Sequence, residues 1–103
     1  MRIIAVTACP TGIAHTYMAA DALNKAAHKK GIPIQVETQG AMGIENQLSP
    51  REIARADLVL IASNIPIELM DRFSKCPQLQ VSIEAVLTNP EKIIGQCQEQ
   101  FAR

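Results

Sequence analysis

A short stretch near the start of the chain combines a thiol nucleophile, a basic side chain and hydroxyl groups. It reads Cys9-Pro10-Thr11-Gly12-Ile13-Ala14-His15-Thr16. An apolar run at 3–8 precedes it and favours a buried β-strand, and an alanine-rich helical pattern follows it. A loop between a strand and a helix directs backbone N–H groups and the positive helix end toward one point. That field favours a thiolate and would also hold a phosphoryl group, so we predict that Cys9 carries phosphate.

We assign the residues after Cys9, Pro10 to Thr16, to a phosphoryl-binding loop, although several have a second interpretation. Gly12 suits a tight turn as well as close approach of a phosphoryl oxygen to the backbone. Hydroxyl groups at Thr11 and Thr16 either donate to that oxygen or cap the helix, and both interpretations stand at this stage. His15 either contacts the phosphoryl group or packs at the helix start.

Strand and helix patterns alternate along the chain. Strand patterns cover residues 2–8, 34–38, 57–62 and 79–83. Helical patterns cover residues 14–30, with Met18 on the apolar side, and 50–56, which begins with a capping box of Ser49 and Glu52. Two more begin at Pro66 and Pro90, and the last of these has Phe101 on its buried side. The alternation predicts one α/β domain over residues 1–103, with three α/β/α layers and a four-stranded parallel sheet in the order 2-1-3-4.

The predicted sheet places further residues beside Cys9. Ligands of such sheets bind at the carboxyl ends of the strands. The candidate neighbours of Cys9 at these ends are Gln39, Gly40, Ser63 and Asn64. Residues 39–47 contain two glycines and are predicted to form a flexible flap next to the loop. The other two cysteines are interpreted as ordinary thiols: Cys97 falls on the apolar stripe of the last helix, and Cys76 falls in a turn.

Two of these segments resemble a known family. Residues 8–16, followed about one βα unit later by Val36-Glu37-Thr38-Gln39-Gly40, resemble the fructose-type IIB component of the bacterial phosphoenolpyruvate-dependent sugar phosphotransferase system. The resemblance covers nearly the whole chain and is most specific up to Ile65. It implies that Cys9 takes phosphate from a phosphohistidine on a IIA domain and passes it to fructose or a related sugar. The sugar would be bound by the membrane IIC subunit, and no cofactor is implied.

Other functions remain as alternative hypotheses. The spacing of Cys9, His15 and Thr16 also resembles the loop of low-molecular-weight tyrosine phosphatases, in which arginine stands at the His15 position. Arginine binds phosphate bidentately, whereas a histidine that is neutral near pH 7 binds it more weakly. No acidic residue lies in 1–18 or 38–44 to activate water. A cysteine phosphatase, an arsenate reductase and a phosphorylated regulatory module without transport are the competing classes. Arsenate reductase is disfavoured because no second cysteine lies near the first.

Composition limits the remaining possibilities. The 103 residues include ten basic and ten acidic ones, so the formal net charge is zero and no nucleic-acid partner is expected. No apolar run approaches the ~20 residues that cross a bilayer, so direct membrane insertion is not expected. A strand pattern begins at once and leaves no room for a signal peptide, which favours a cytoplasmic location. Three cysteines without a C-x-x-C pair, and two histidines, indicate no metal site.

Overall fold

The computed structural model describes residues 1–9 and 13–102, in which strands alternate with helices. The strands are β1 (Ile3–Ala8), β2 (Ile34–Gly40), β3 (Gly43–Glu45), β4 (Leu58–Ser63) and β5 (Gln78–Val81). The α-helices are α1 (Ile13–Lys29), α2 (Pro50–Arg55), α3 (Ile83–Thr88) and α4 (Pro90–Ala102). A 3-10 helix (Met70–Phe73) lies between β4 and β5.

The sheet has five strands in the order β3-β2-β1-β4-β5. Four of them are parallel, and their order matches the predicted order 2-1-3-4. The predicted strand count is wrong, because β3 adds an antiparallel strand at the edge. It lies within the segment 39–47, which was predicted to be a loop. Gly43 has a φ of +88°, a conformation that glycine adopts readily, so the chain can turn back from β2 into β3.

The central strands β1 and β4 are buried along their whole length, as their apolar composition predicts. Alternate residues of β1 and β4 pack against two separate layers of the molecule. Helices α1, α3 and α4 cover one face of the sheet. The other face is covered by a smaller cluster that includes Leu48 and Phe73, contributed by α2, its preceding loop and the 3-10 helix. The predicted three-layer arrangement is therefore confirmed.

Several helical details differ from the sequence interpretation. The buried side of α1 centres on Ala19, Leu23 and Ala26, while Met18, expected on that side, is 56% exposed. Phe101 was expected to be buried on α4 but is 51% exposed. These side chains lie near the margins of broad apolar stripes, where the sequence pattern alone does not locate the edge of the packing partner.

The two remaining differences concern the ends of elements. The helix expected from Pro66 is reduced to a 3-10 helix that begins four residues later, at Met70. Ser82 was assigned to the last strand, but its hydroxyl accepts a hydrogen bond from the N–H of Ala85 at 3.0 Å. Ser82 is thus the N-cap of α3, a role that serine fills well because its oxygen satisfies a free N–H of the first turn.

Helix α2 begins with the predicted capping box. The Ser49 hydroxyl accepts from the N–H of Glu52 at 3.1 Å, and the Glu52 carboxylate accepts from the N–H of Ser49 at 2.9 Å. We expect Ser49→Ala to lower the free energy of unfolding by about 1 kcal/mol, because one N–H of the first turn loses its partner. Urea unfolding measures the change. Ser74→Ala, at an exposed serine, is the control, and an equally small effect at both positions would contradict the prediction.

Candidate functional site

Cys9 lies at the carboxyl edge of the sheet, immediately after β1. The strand register places Ala8 beside Gln39 of β2 on one side and beside Ser63 of β4 on the other. The Cys9 side chain is half-buried and packs against the core on the α1 side of the sheet. The structure therefore brings the predicted neighbours to the same edge as the thiol. They are Gln39, Gly40, Ser63 and Asn64.

The predicted phosphoryl-binding loop is described only in part. Pro10, Thr11 and Gly12 lie outside the described residues, as does the side chain of Ile13. The first turn of α1 contains Ala14 and His15, both exposed, and the buried Thr16. The hydroxyl of Thr7 donates to the backbone carbonyl of Thr16 at 3.1 Å, which joins this turn to β1. The start of α1 is thus held against the strand that ends at Cys9.

A carboxylate lies near His15, which the sequence interpretation did not anticipate. Glu84, in the first turn of α3, accepts two hydrogen bonds of 2.9 Å from the side-chain amide of Asn64. These bonds lower the pKa of Glu84, and the electrostatic influence of the nearby His15 side chain acts in the same direction. The absence of acidic residues in 1–18 and 38–44 therefore does not leave this edge without a carboxylate. Asn64 links α3 to the end of β4.

Two of the predicted neighbours bind the protein's own backbone. The Ser63 hydroxyl donates to the carbonyl of Ile65 at 2.6 Å and accepts from the N–H of the same residue at 3.1 Å. The Gln39 side-chain amide donates to the carbonyl of Glu68 at 3.1 Å, and its oxygen accepts from the N–H of Glu68 at 2.8 Å. Both side chains therefore shape the chain that leaves β4. Gly40 lies at the turn end of β2, opposite Gly43.

A buried ion pair lies behind this edge of the sheet. Glu37 is fully buried, and both of its carboxylate oxygens accept from the guanidinium of Arg72, at 2.7 and 2.5 Å. It also accepts from the side chain of Gln39 at 2.8 Å and from the N–H of Leu48 at 2.9 Å. Burial raises the pKa of Glu37, but these hydrogen bonds outweigh it and hold the pKa below the usual 4.5.

Sequence reasoning missed this ion pair. The alternation in β2 places Glu37 on the opposite face from Val36, and both faces of this strand turned out to be covered. An acidic residue between apolar and β-branched neighbours was a signal for a buried partner. Its partner, Arg72, is 35 residues away and could be found only once the 3-10 helix was placed. Arg72 also stacks on the ring of Phe73, with 4.5 Å between the guanidinium carbon and the ring centroid.

Comparison with known proteins identifies the family. The family model described as "PTS system, Lactose/Cellobiose specific IIB subunit" matches residues 4–96 of the chain. The chain belongs to the IIB family of the sugar phosphotransferase system. The matched range includes Cys9 and both members of the buried ion pair.

Similar proteins indicate the branch of this family. The "PTS system fructose-like EIIB component 2" of Escherichia coli K12 is 42% identical over 102 residues, which cover 99% of this chain and 96% of that protein. A "PTS system fructose-specific EIIABC component" of Bacillus subtilis is 45% identical over 101 residues, or 98% of this chain and 16% of that protein.

Solved structures agree with these relatives. The crystal structure of a predicted fructose-specific IIB from Escherichia coli superposes with a TM-score of 0.93 at 38% identity. The superposition covers 99% of this chain and 90% of the other. Sequence and structure together confirm the resemblance to fructose-type IIB domains.

The three thiols of this IIB domain differ in their surroundings. Cys97 is fully buried on α4, and burial raises its pKa to about 11. Burial also raises the pKa of Cys76, and the nearby charge of Asp57 raises it further. Both side chains therefore favour the unreactive thiol form near neutral pH. Cys9 alone lies where a strand end meets the start of a helix.

Two further properties of the IIB domain concern ions and membranes. Within residues 1–9 and 13–102, no group of three or more histidine, cysteine, aspartate or glutamate side chains is arranged to hold a metal ion. None of the helices in this part of the chain is both long enough and apolar enough to cross a membrane.

Proposed function

We propose that this IIB domain is a phosphoryl carrier in which Cys9 holds the transferred group. In the first step the Cys9 thiolate attacks phosphorus, the phosphorus–nitrogen bond of a donor phosphohistidine breaks, and the imidazole nitrogen keeps the electron pair. In the second step a sugar hydroxyl oxygen attacks phosphorus, the thiolate leaves, and the hydroxyl proton passes to solvent. The product is a sugar phosphate, and Cys9 is regenerated.

The observation that carries this proposal is the position of Cys9 between the ends of β2 and β4, ahead of the start of α1. The carboxyl edge of a parallel sheet is where ligands bind in such folds, and a helix start favours an anion. The raised pKa values of the other two thiols support the assignment to Cys9. We assign Pro10 to Thr16 to the phosphoryl-binding loop on the basis of the sequence pattern.

The relatives support the choice of partners and sugar. The Bacillus subtilis relative is named as a fructose-specific component with A, B and C parts, and 16% of its length matches this chain. We infer a phosphorylated IIA domain as donor and a membrane IIC subunit with bound sugar as acceptor. The names of the relatives favour fructose or a fructose-like sugar. Because both inferred partners would exchange phosphate with the IIB domain inside the cell, we infer a cytoplasmic location for it.

The proposal is tested by reconstitution with the general relay proteins, a IIA domain, labelled phosphoenolpyruvate and membranes that contain a IIC subunit. We expect label on the IIB domain and then on fructose or a related sugar from a panel. Label that reaches the IIB domain but no sugar would favour the regulatory alternative. Failure of the IIB domain to accept label from any IIA domain would overturn the proposal.

The phosphorylated domain is expected to be long-lived in buffer, because His15 replaces the arginine of the phosphatase loop. A phosphatase needs a strong clamp on the phosphoryl group and a base that activates water. Here the carboxylate of Glu84 lies near His15, and both of its oxygens accept hydrogen bonds from Asn64. We expect His15→Arg to bind the group more tightly and to slow its transfer to sugar. Decay of the labelled adduct and transfer rates through IIC measure the two effects.

Glu84→Gln is the matched control for the lifetime of the adduct. We expect it to leave the slow decay in buffer unchanged, because the amide keeps the shape of the side chain and one acceptor oxygen for Asn64 while it removes the charge. Rapid loss of phosphate to water from the natural protein, slowed by Glu84→Gln, would instead favour the phosphatase alternative. Faster transfer to sugar by His15→Arg would contradict the expectation that tighter binding of the phosphoryl group slows its transfer.

A further inference from the structure

The chain that leaves β4 starts at the strand end beside Cys9, and side-chain hydrogen bonds hold it at both of its ends. We name residues 64–69 the β4 exit segment. At its start, Asn64 donates to the carboxylate of Glu84 in α3. At its far end, the side chain of Gln39 makes two hydrogen bonds to the backbone of Glu68, one as donor and one as acceptor. A segment without regular secondary structure is thus fixed to the neighbouring elements by side chains.

The Gln39 contact bridges the two strands that flank β1. Gln39 belongs to β2, and the β4 exit segment continues from β4, with Ala8 of β1 between them in the register. The Gln39 side chain lies on the same face as Glu37, to which it also donates at 2.8 Å. The bridge therefore passes on the side of the sheet opposite to α1, directly behind the residue that precedes Cys9.

The end of the β4 exit segment adopts an unfavourable backbone conformation. Leu69 has a φ of +59° and a ψ of +35°, in the left-handed region that leucine rarely occupies. The Leu69 side chain is 53% exposed, so burial of this side chain does not offset the free-energy cost of the conformation. The Leu69 carbonyl accepts from the side chain of Arg72 at 2.9 Å and from its N–H at 3.3 Å. A strained residue persists where its surroundings over-determine it, and such residues cluster at functional sites.

We propose that Gln39 and Arg72 are positioning residues for phosphoryl transfer, and that buried Glu37 anchors both of them. Through Glu68 and Leu69 they hold the β4 exit segment in one arrangement at the edge of the sheet where Cys9 lies, while the donor phosphohistidine is in place. This inference rests on the proposed function. Neither side chain contacts the phosphoryl group. The β4 exit segment, fixed in this way, keeps the donor nitrogen, phosphorus and Cys9 sulfur aligned as the nitrogen–phosphorus bond breaks and the sulfur–phosphorus bond forms.

The test uses Gln39→Leu, which removes the bridge to Glu68 and leaves the two bonds between Arg72 and Glu37. Single-turnover transfer of label from saturating phosphorylated IIA domain is expected to be about 10- to 100-fold slower, the loss that a small misplacement causes. Alkylation of Cys9 by iodoacetamide needs no docked protein and is expected to keep its natural rate. Ser49→Ala, which weakens α2 but leaves the β4 exit segment untouched, is the matched control and is expected to transfer at the natural rate.

A second variant, Arg72→Lys, keeps the positive charge beside Glu37 but loses the forked geometry and the side-chain bond to Leu69. It is expected to slow transfer in the same way, and it decides the test alone if Gln39→Leu does not fold. Natural transfer rates in a folded variant would overturn the inference. So would an equal loss in Cys9 alkylation, because the effect would then act through the thiol itself. Failure of the natural protein to accept label would instead count against the proposed function.

Discussion

Replacing Cys9 by serine is expected to abolish acceptance of phosphoryl groups, while Cys76→Ser and Cys97→Ser retain it. A serine hydroxyl is not ionised near neutral pH and lacks the nucleophilicity of a thiolate. The other two thiols lie in surroundings that raise their pKa values, so neither can substitute for Cys9. The measurement is the amount of label on each purified variant after incubation with phosphorylated IIA domain.

The cysteine variants act as controls for one another. Cys97 is fully buried, so its replacement by serine introduces a hydroxyl into the core, and the fold of this variant is verified by circular dichroism. A stable adduct on Cys9→Ser would show that another side chain accepts the group. Loss of labelling in folded Cys76→Ser would equally contradict the assignment.

The largest expected effect on stability comes from Arg72→Met. This change leaves the fully buried Glu37 without its cationic partner, and breaking a buried ion pair from one side costs about 3–5 kcal/mol. Small domains have a free energy of unfolding of about 5–15 kcal/mol, so the loss is a large share of the total. Urea unfolding at neutral pH measures it. Arg55→Met, at an exposed position of α2, is the matched control and is expected to change stability little.

Arg72→Met should also reverse part of the dependence of stability on pH. In the natural protein the pKa of Glu37 lies below its unfolded value of 4.5. The folded state therefore binds this proton less readily, and the contribution of Glu37 is present above about pH 4.5 and lost as the pH falls through the lower, folded pKa.

In Arg72→Met, burial still raises the pKa of Glu37, and the main opposing group is gone. The folded state then binds the proton more readily than the unfolded state. We expect this variant to regain stability as the pH is lowered from neutral toward 4.5, while the natural protein does not. Urea unfolding midpoints of both proteins, measured between neutral pH and pH 4.5, test this prediction. Parallel profiles for the two proteins would show that Arg72 does not control the ionisation of Glu37.

Much of the fold and part of the site follow from the sequence through local physical chemistry. The continuous apolar runs that became β1 and β4 require burial on both faces, which predicts a parallel sheet between helices. The capping box at Ser49 depends on side chains three residues apart, so it could be assigned without tertiary information. Cys9 was located by its place between a strand pattern and a helix pattern, and the register brought the ends of β2 and β4 to it.

The tertiary structure alone decided the features that depend on distant partners. β3 has only three residues, and it forms because the turn after Gly40 returns it to the edge of β2. Glu37 and Arg72 are far apart in sequence, and their ion pair exists because β2 and the 3-10 helix pack on the same face of the sheet. Glu84 reaches the site edge because α3 begins beside Asn64. Local sequence patterns indicate that a residue requires burial or a partner, whereas tertiary packing determines which distant residue becomes that partner.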